Sequence, residues 1–138
     1  MVLDTNVVLD LTVFADPGTT GLRLALDSGA VRALATDATL KEFRSVLGYA
    51  RLGFDEQARD EALAWYEKRV ALVERPEPSD CPLRCRKDPD DQKFLDLAWD
   101  CGARWLVSKD LALLRLARAS ARHGRFAIVA PAALPPLT

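Results

Sequence analysis

A single histidine, His123, is present in this chain, and it sits among Arg122, Gly124 and Arg125. No Ser-His-Asp or Cys-His arrangement can be built around it, and its place at a helix end suits a surface cation on the helix dipole. Cysteine is scarce and odd in number: Cys81, Cys85 and Cys101. That argues against a disulfide framework and for a reducing cytosol. Cys81-x-x-x-Cys85 has no second Cys/His pair to complete a zinc site. No apolar run approaches the roughly 20 residues needed to span a bilayer, and no basic stretch leads into an apolar one at the N-terminus. The expectation is a cytoplasmic protein with no membrane association. A Gly-rich phosphate loop of either standard spacing is also missing. Excess positive charge is absent too: 19 Lys and Arg stand against 20 Asp and Glu, a net charge of -1. This is not the basic footprint of a nucleic-acid binder, although acids concentrated at one place would mask a basic rim elsewhere.

What is present is an ordinary globular balance, 49% hydrophobic and 28% charged over 138 residues. That length suits one domain, 1–138, with a sizeable core and a Pro-rich tail at 131–138 that is expected to fray. The stretch that organises the rest is Met1-Val2-Leu3-Asp4-Thr5-Asn6-Val7-Val8-Leu9. An apolar run ends in an acid, and a residue just past a parallel strand points into the crevice where ligands bind. Strand-like runs follow at 31–35, 70–73, 105–107 and 126–129. Between them lie helical patterns, at about 5–15, 19–28 (closed by Gly29), 36–50 (closed by Gly53), 55–69, 90–101 (closed by Gly102) and 109–121. Glu74 to Pro89 holds four prolines in sixteen residues and reads as a loop over the sheet edge. Strands alternating with helices indicate a five-stranded parallel sheet with helices on both faces, a three-layer α/β/α sandwich.

Acids recur at the carboxyl edge of that sheet: Asp4, Glu42, the Asp88-Pro89-Asp90-Asp91 cluster and Asp110. Each has a local explanation. Thr39-x-x-Glu42 matches a capping box. Asp88 before Pro89 reads as an N-cap with proline at the first helical position. Asp110 lies in the first turn of a helix that Ser108 would cap. Asp4 has no strong helix start after it. Taken together they have a second reading. Converging carboxylates repel by roughly 4 kcal/mol per pair at 4 Å and an effective dielectric near 20. Such a cluster persists by binding protons or a hard cation. With no His or Cys nearby, that cation is Mg²⁺ or Mn²⁺ rather than zinc. Helix phase separates the paired acids. Measured against the stripe of Phe94, Leu95, Ala98 and Cys101, Asp91 lies roughly 30° from its centre and Asp90 roughly 70°. Asp91 is expected to face the site, with Asp88 and Asp90 capping or supporting it.

These blocks carry a resemblance. Asp4-Thr5-Asn6, Leu40-Lys41-Glu42-Phe43, Asp88-Pro89-Asp90-Asp91-x-x-Phe94-Leu95-x-Leu97-Ala98 and Leu106-Val107-Ser108-Lys109-Asp110-Leu111-x-Leu113-Leu114 resemble a PIN-domain protein, most of all the toxins of bacterial toxin–antitoxin modules. The resemblance runs from residue 2 to about residue 130. It implies sheet order 3-2-1-4-5 and a metal-dependent ribonuclease whose acids are Asp4, Glu42, Asp91 and Asp110, with supporting roles for Asn6 and Ser108. It also implies an RNA substrate, an antitoxin partner and a homodimer. The first strand is shorter than is usual in that family. Hydrolysis of a phosphodiester needs an activated water and charge relief on the phosphate, and carboxylate-held divalent ions supply both.

For the substrate, Arg84, Arg86 and Lys87 directly precede the acidic cluster, where a phosphate backbone would meet them. Arg115, Arg118 and Arg122 recur at three- and four-residue spacing; such a row is either a substrate face or a solvated one. Trp65 and Tyr66 are expected in the core or at a dimer contact. Three other readings compete. A flap-type nuclease would need extra helical arches. A receiver-like signalling domain would need an acid pair after the first strand and a phosphoacceptor after the third, where Glu74-Arg75-Pro76 stands. A protein-binding module with a vestigial site would not need all four acids.

Overall fold

Two short strands at the middle of the sheet set the frame. The computed structural model describes residues 1–137. β1 (Val2–Leu3) pairs in parallel with β2 (Ala33–Ala35) on one side and β4 (Trp105–Val107) on the other, with Val2 opposite both Leu34 and Leu106. β3 (Val70–Leu72) and β5 (Ala127–Val129) complete the order 3-2-1-4-5, all parallel. Neighbouring strand residues face opposite ways. Val2 and Leu106 therefore join one half-core, and Leu3 and Val107 the other. All four are essentially buried, as expected when helices cover both faces of a parallel sheet.

One half-core is covered by α1 (Thr5–Leu11), α2 (Thr20–Ser28), α3 (Asp37–Leu47) and α4 (Glu56–Arg69), through Val7, Leu22, Phe43 and Tyr66 among others. The other is covered by α5 (Gln92–Asp100), α6 (Leu111–Leu114) and α7 (Ala117–His123). Trp65 and Tyr66 part company. Tyr66 is buried edge-on to Phe43, while the Trp65 ring has the guanidinium groups of Arg23 and Arg69 stacked within 4.4 and 4.6 Å of its centroid.

Several element ends differ from expectation for local reasons. α3 ends at Leu47 with Gly48 as its C-cap, and Gly53 instead closes a separate 3₁₀ turn, Ala50–Leu52, at φ 65°. The last helix is two helices, with Arg115 and Leu116 between them. Asp16-Pro17-Gly18 opens a 3₁₀ turn that runs straight into α2, because proline suits the first position of such a turn. The described part of the Pro-rich tail is packed. Pro131–Ala133 is a 3₁₀ turn, and Leu134 and Leu137 pack against the first half-core; Thr138 lies outside the described residues.

The 74–88 loop is stapled to α5. Cys81, Leu83 and Cys85 are buried core residues and alternate with exposed Pro82, Arg84 and Arg86; all three cysteines are free. Gln92 holds this segment from both ends of its amide: its Oε1 accepts from the Cys85 N–H (2.8 Å), and its Nε2 donates to the Leu83 carbonyl (2.9 Å). The Arg75 guanidinium reaches Glu77 (2.7 Å), Asp100 (3.4 Å) and Asp96 (3.6 Å). Ser79 adds a hydroxyl bond to Asp100 (2.9 Å). Removing one partner of a buried ion pair leaves an uncompensated charge. Arg75→Met is therefore expected to cost about 2–4 kcal/mol in urea unfolding, with part of the loss recovered when Asp96→Asn and Asp100→Asn are added.

Candidate active site

The Ser108 hydroxyl links the ends of the two central strands. Past β1, the Asp4 N–H continues the ladder to the Val107 carbonyl (3.0 Å). The Asp4 Oδ2 accepts from Ser108 Oγ (2.7 Å), and the same Oγ accepts from the Asp110 N–H (2.9 Å). Ser108 is fully buried and Asp4 nearly so. α1 does begin directly after Asp4, yet the Asp4 side chain makes no capping bond. Asp110, not Ser108, is the N-cap of α6: its Oδ1 accepts from the Ala112 N–H (2.9 Å).

On the neighbouring edge, Asp88 caps the 3₁₀ turn Pro89–Asp91 by accepting from the Asp90 N–H (3.2 Å). That turn exposes Asp90 and buries Asp91, in line with helix phase. Asp88, Asp91 and Asp110 come together, each offering a carboxylate oxygen, all within 4.8 Å of one another. Among the described residues, Asp91 Oδ2 is buried with no hydrogen-bond partner. It stands out because buried polar atoms are nearly always satisfied.

The electrostatics follow from this crowding. Burial, then hydrogen bonding to Asp110 and the charges of Asp4, Asp110 and Asp88, push the Asp91 carboxyl up to about 8. Asp110 moves the other way, held down by hydrogen bonding to Asp91 and to the Ala112 N–H. Asp4 is raised, chiefly by burial. The Ser108 hydroxyl opposes that shift, and the charges of Asp110 and Glu42 add to it. Without a cation, the cluster persists by keeping a proton on Asp91.

Glu42 lies apart from the triad. It is not a capping residue, because the capping box of α3 is Thr36 with Thr39. Instead Glu42 Oε2 accepts from the Thr5 hydroxyl and Oε1 meets Lys93 Nζ (2.6 Å). Of the four acids expected at the centre, the structure groups Asp91 and Asp110 with Asp88, which was expected in support. Asp4 and Glu42 flank the group and are felt through their charge. Asn6 is exposed at the start of α1. Arg84, Arg86, Lys87 and Arg115 are exposed, with Arg84 3.8 Å from Asp96. Arg44 is taken by Glu67 (2.8 Å). His123, in the last turn of α7, meets Trp99 edge-on.

Sequence reasoning missed Thr5, Lys93 and the Lys109–Asp10 pair (2.8 Å), which ties the loop between Ser108 and Asp110 to α1. Asp10 carried a legible signal, since an acid inside Val7-Val8-Leu9-Asp10-Leu11 must find a partner when that face is buried. Lys93 carried none, because its partner lies on another helix.

A parallel α/β sheet with an acidic triad at its carboxyl edge, whose oxygens could hold a divalent cation, defines the class. The sequence profile of the PIN domain matches residues 1–112, a span that contains every acid described above, and the chain belongs to the PIN-domain family. PIN domains are in general metal-dependent nucleases. No curated protein and no solved structure gives a significant match. Among the described residues, no helix is long and apolar enough to cross a membrane.

Because Asp91 titrates near 8 in the folded chain and near 3.9 when unfolded, the folded state binds the extra proton between those values. Stability is then lost as pH rises through that window. In metal-free protein, Asp91→Asn should raise Tm by roughly 5 °C at pH 8 and by little at pH 4, read by thermal melts across pH.

Proposed function

We propose that this chain is a metal-dependent endoribonuclease, the toxin of a toxin–antitoxin module. The observation that carries the metal site is the partnerless, buried Asp91 Oδ2 beside Asp88 and Asp110. An all-oxygen donor set of this kind fits Mg²⁺ or Mn²⁺. The RNA substrate and the toxin role are supported by the order and spacing of the four sequence blocks.

In this reading Asp91, Asp110 and Asp4 hold the cation, with Asp88 beside them and Glu42 at the flank. The bound cation would supply an activated water and charge relief at the phosphate. The chain's own residues prepare for this. Asp110 is oriented by the Ala112 N–H and Asp4 by the Ser108 hydroxyl, so neither must reorganise when a charge arrives. Asp91 gives up its proton on loading. Arg86 and Lys87, exposed just before Asp88, meet the RNA backbone. Arg84 and Arg115 extend that rim, which would equally receive acidic groups of an antitoxin. Homodimerisation and a cytoplasmic location belong to the same proposal.

The test is cleavage of a mixed RNA pool with Mn²⁺, with EDTA, and by Asp4→Asn. Cleavage should need the metal and fall by at least about 100-fold in the variant. If all RNA stays intact and Mn²⁺ leaves the melting temperature unchanged, the nuclease reading fails and the protein-binding module takes its place. Because a proton must leave Asp91, Mn²⁺ affinity should rise about tenfold per pH unit up to about pH 8. Calorimetry in two buffers of different ionisation enthalpy would register the released proton.

A further inference from the structure

The acids at this edge are compensated unevenly. Among the described residues, none of Asp4, Asp88, Asp91 and Asp110 has a Lys or Arg within salt-bridge distance. Glu42 is the opposite case. Both its oxygens are engaged, one by the Thr5 hydroxyl and one by Lys93 Nζ at 2.6 Å. The same Nζ donates to the Asp90 carbonyl at 2.5 Å and lies 5.2 Å from the centroid of the Phe94 ring. A carboxylate oxygen and a backbone carbonyl are the kind of oxygen ligands that a hard cation takes. Lys93 is only about a quarter exposed (23%) and its stem starts on α5, two residues past Asp91. It is therefore a compact positive charge held inside the acidic assembly, on the flank where Glu42 acts on Asp4.

We propose that Lys93 is a resident second cation: its ammonium occupies the Glu42 flank of the cleft, so that the chain takes one divalent ion, held by Asp4, Asp91 and Asp110 with Asp88 beside them, rather than a pair. This rests on the nuclease reading and specifies it. Two-metal sites set one ion on each side of the scissile phosphate. Here one side is left to a divalent ion and the other carries a covalently tethered charge that does not dissociate. Lys93 is then a positioning residue. It holds Glu42 and contributes positive charge beside the phosphate, without itself binding metal.

The decisive experiment counts bound Mn²⁺ by electron paramagnetic resonance on the full chain at pH 8, with Mn²⁺ alone. Wild type should bind about one ion, Lys93→Arg about one, and Lys93→Met and Lys93→Gln about two, because Glu42 is released as a ligand; adding Glu42→Gln to Lys93→Met should return the count to about one. Metal-free melting and circular dichroism confirm that each variant is folded, and the two neutral substitutions check each other. A purely structural lysine would leave the count unchanged. If Lys93→Met and Lys93→Gln still bind one ion, or wild type binds two, the Lys93 proposal is overturned while the metal site stands. If wild type binds none, the nuclease reading falls and Lys93 with it.

Discussion

Carboxylates gathered at one edge of a sheet repel one another, and that repulsion shapes the rest of the site. At 4 Å each pair costs roughly 4 kcal/mol with an effective dielectric near 20, an appreciable part of a small domain's net stability of about 5–15 kcal/mol. The chain offsets it in four different ways. Ser108 donates to Asp4, and backbone N–H groups at turn and helix starts bond Asp88 and Asp110. Asp91 keeps a proton. Lys93 neutralises Glu42. Among the described residues, Asp91 Oδ2 is the buried side-chain oxygen left without a hydrogen-bond partner, and a cation could take that place.

The fold supplies the convergence, and the loops supply the precision. A parallel sheet brings the carboxyl ends of β1 and β4 side by side, so Asp4 and Ser108 meet across 104 residues of sequence. The acids of the 88–91 turn need a further device, since a Pro-rich loop has little intrinsic order. Gln92 and Arg75 clamp that loop to α5, and the buried faces of Cys81, Leu83 and Cys85 anchor it. The cysteines thus serve packing. The Lys109–Asp10 pair does for the loop after β4 what Gln92 does for the loop before α5. Each acid is mounted on a segment that a neighbouring helix restrains.

Two residues combine a cap with a place in the acidic triad, and Glu42 does neither. A carboxylate has two oxygens, and a cap engages one. Asp88 and Asp110 each cap with Oδ1 and still stand in the triad. Glu42 does not cap, because Thr39 reciprocates with Thr36 and leaves Glu42 one turn further on, free to reach Thr5 and Lys93.

Much was determined by the sequence itself. Its alternating apolar runs specify a parallel α/β sheet. Its acids fall just after strands or at helix starts, where the carboxyl edge collects them. The 3.6-residue period separates Asp91 from Asp90, because one residue turns a helix by about 100°. Those features are local, set by the covalent chain and its backbone geometry. The tertiary structure alone decided that Asp88 stands with Asp91 and Asp110, that Glu42 is held by a lysine from another helix, and that the tail packs through Leu134 and Leu137. Each of these depends on the distance between side chains far apart in sequence. That distance is set by how two helices and a loop pack on the sheet, which no spacing along the chain records.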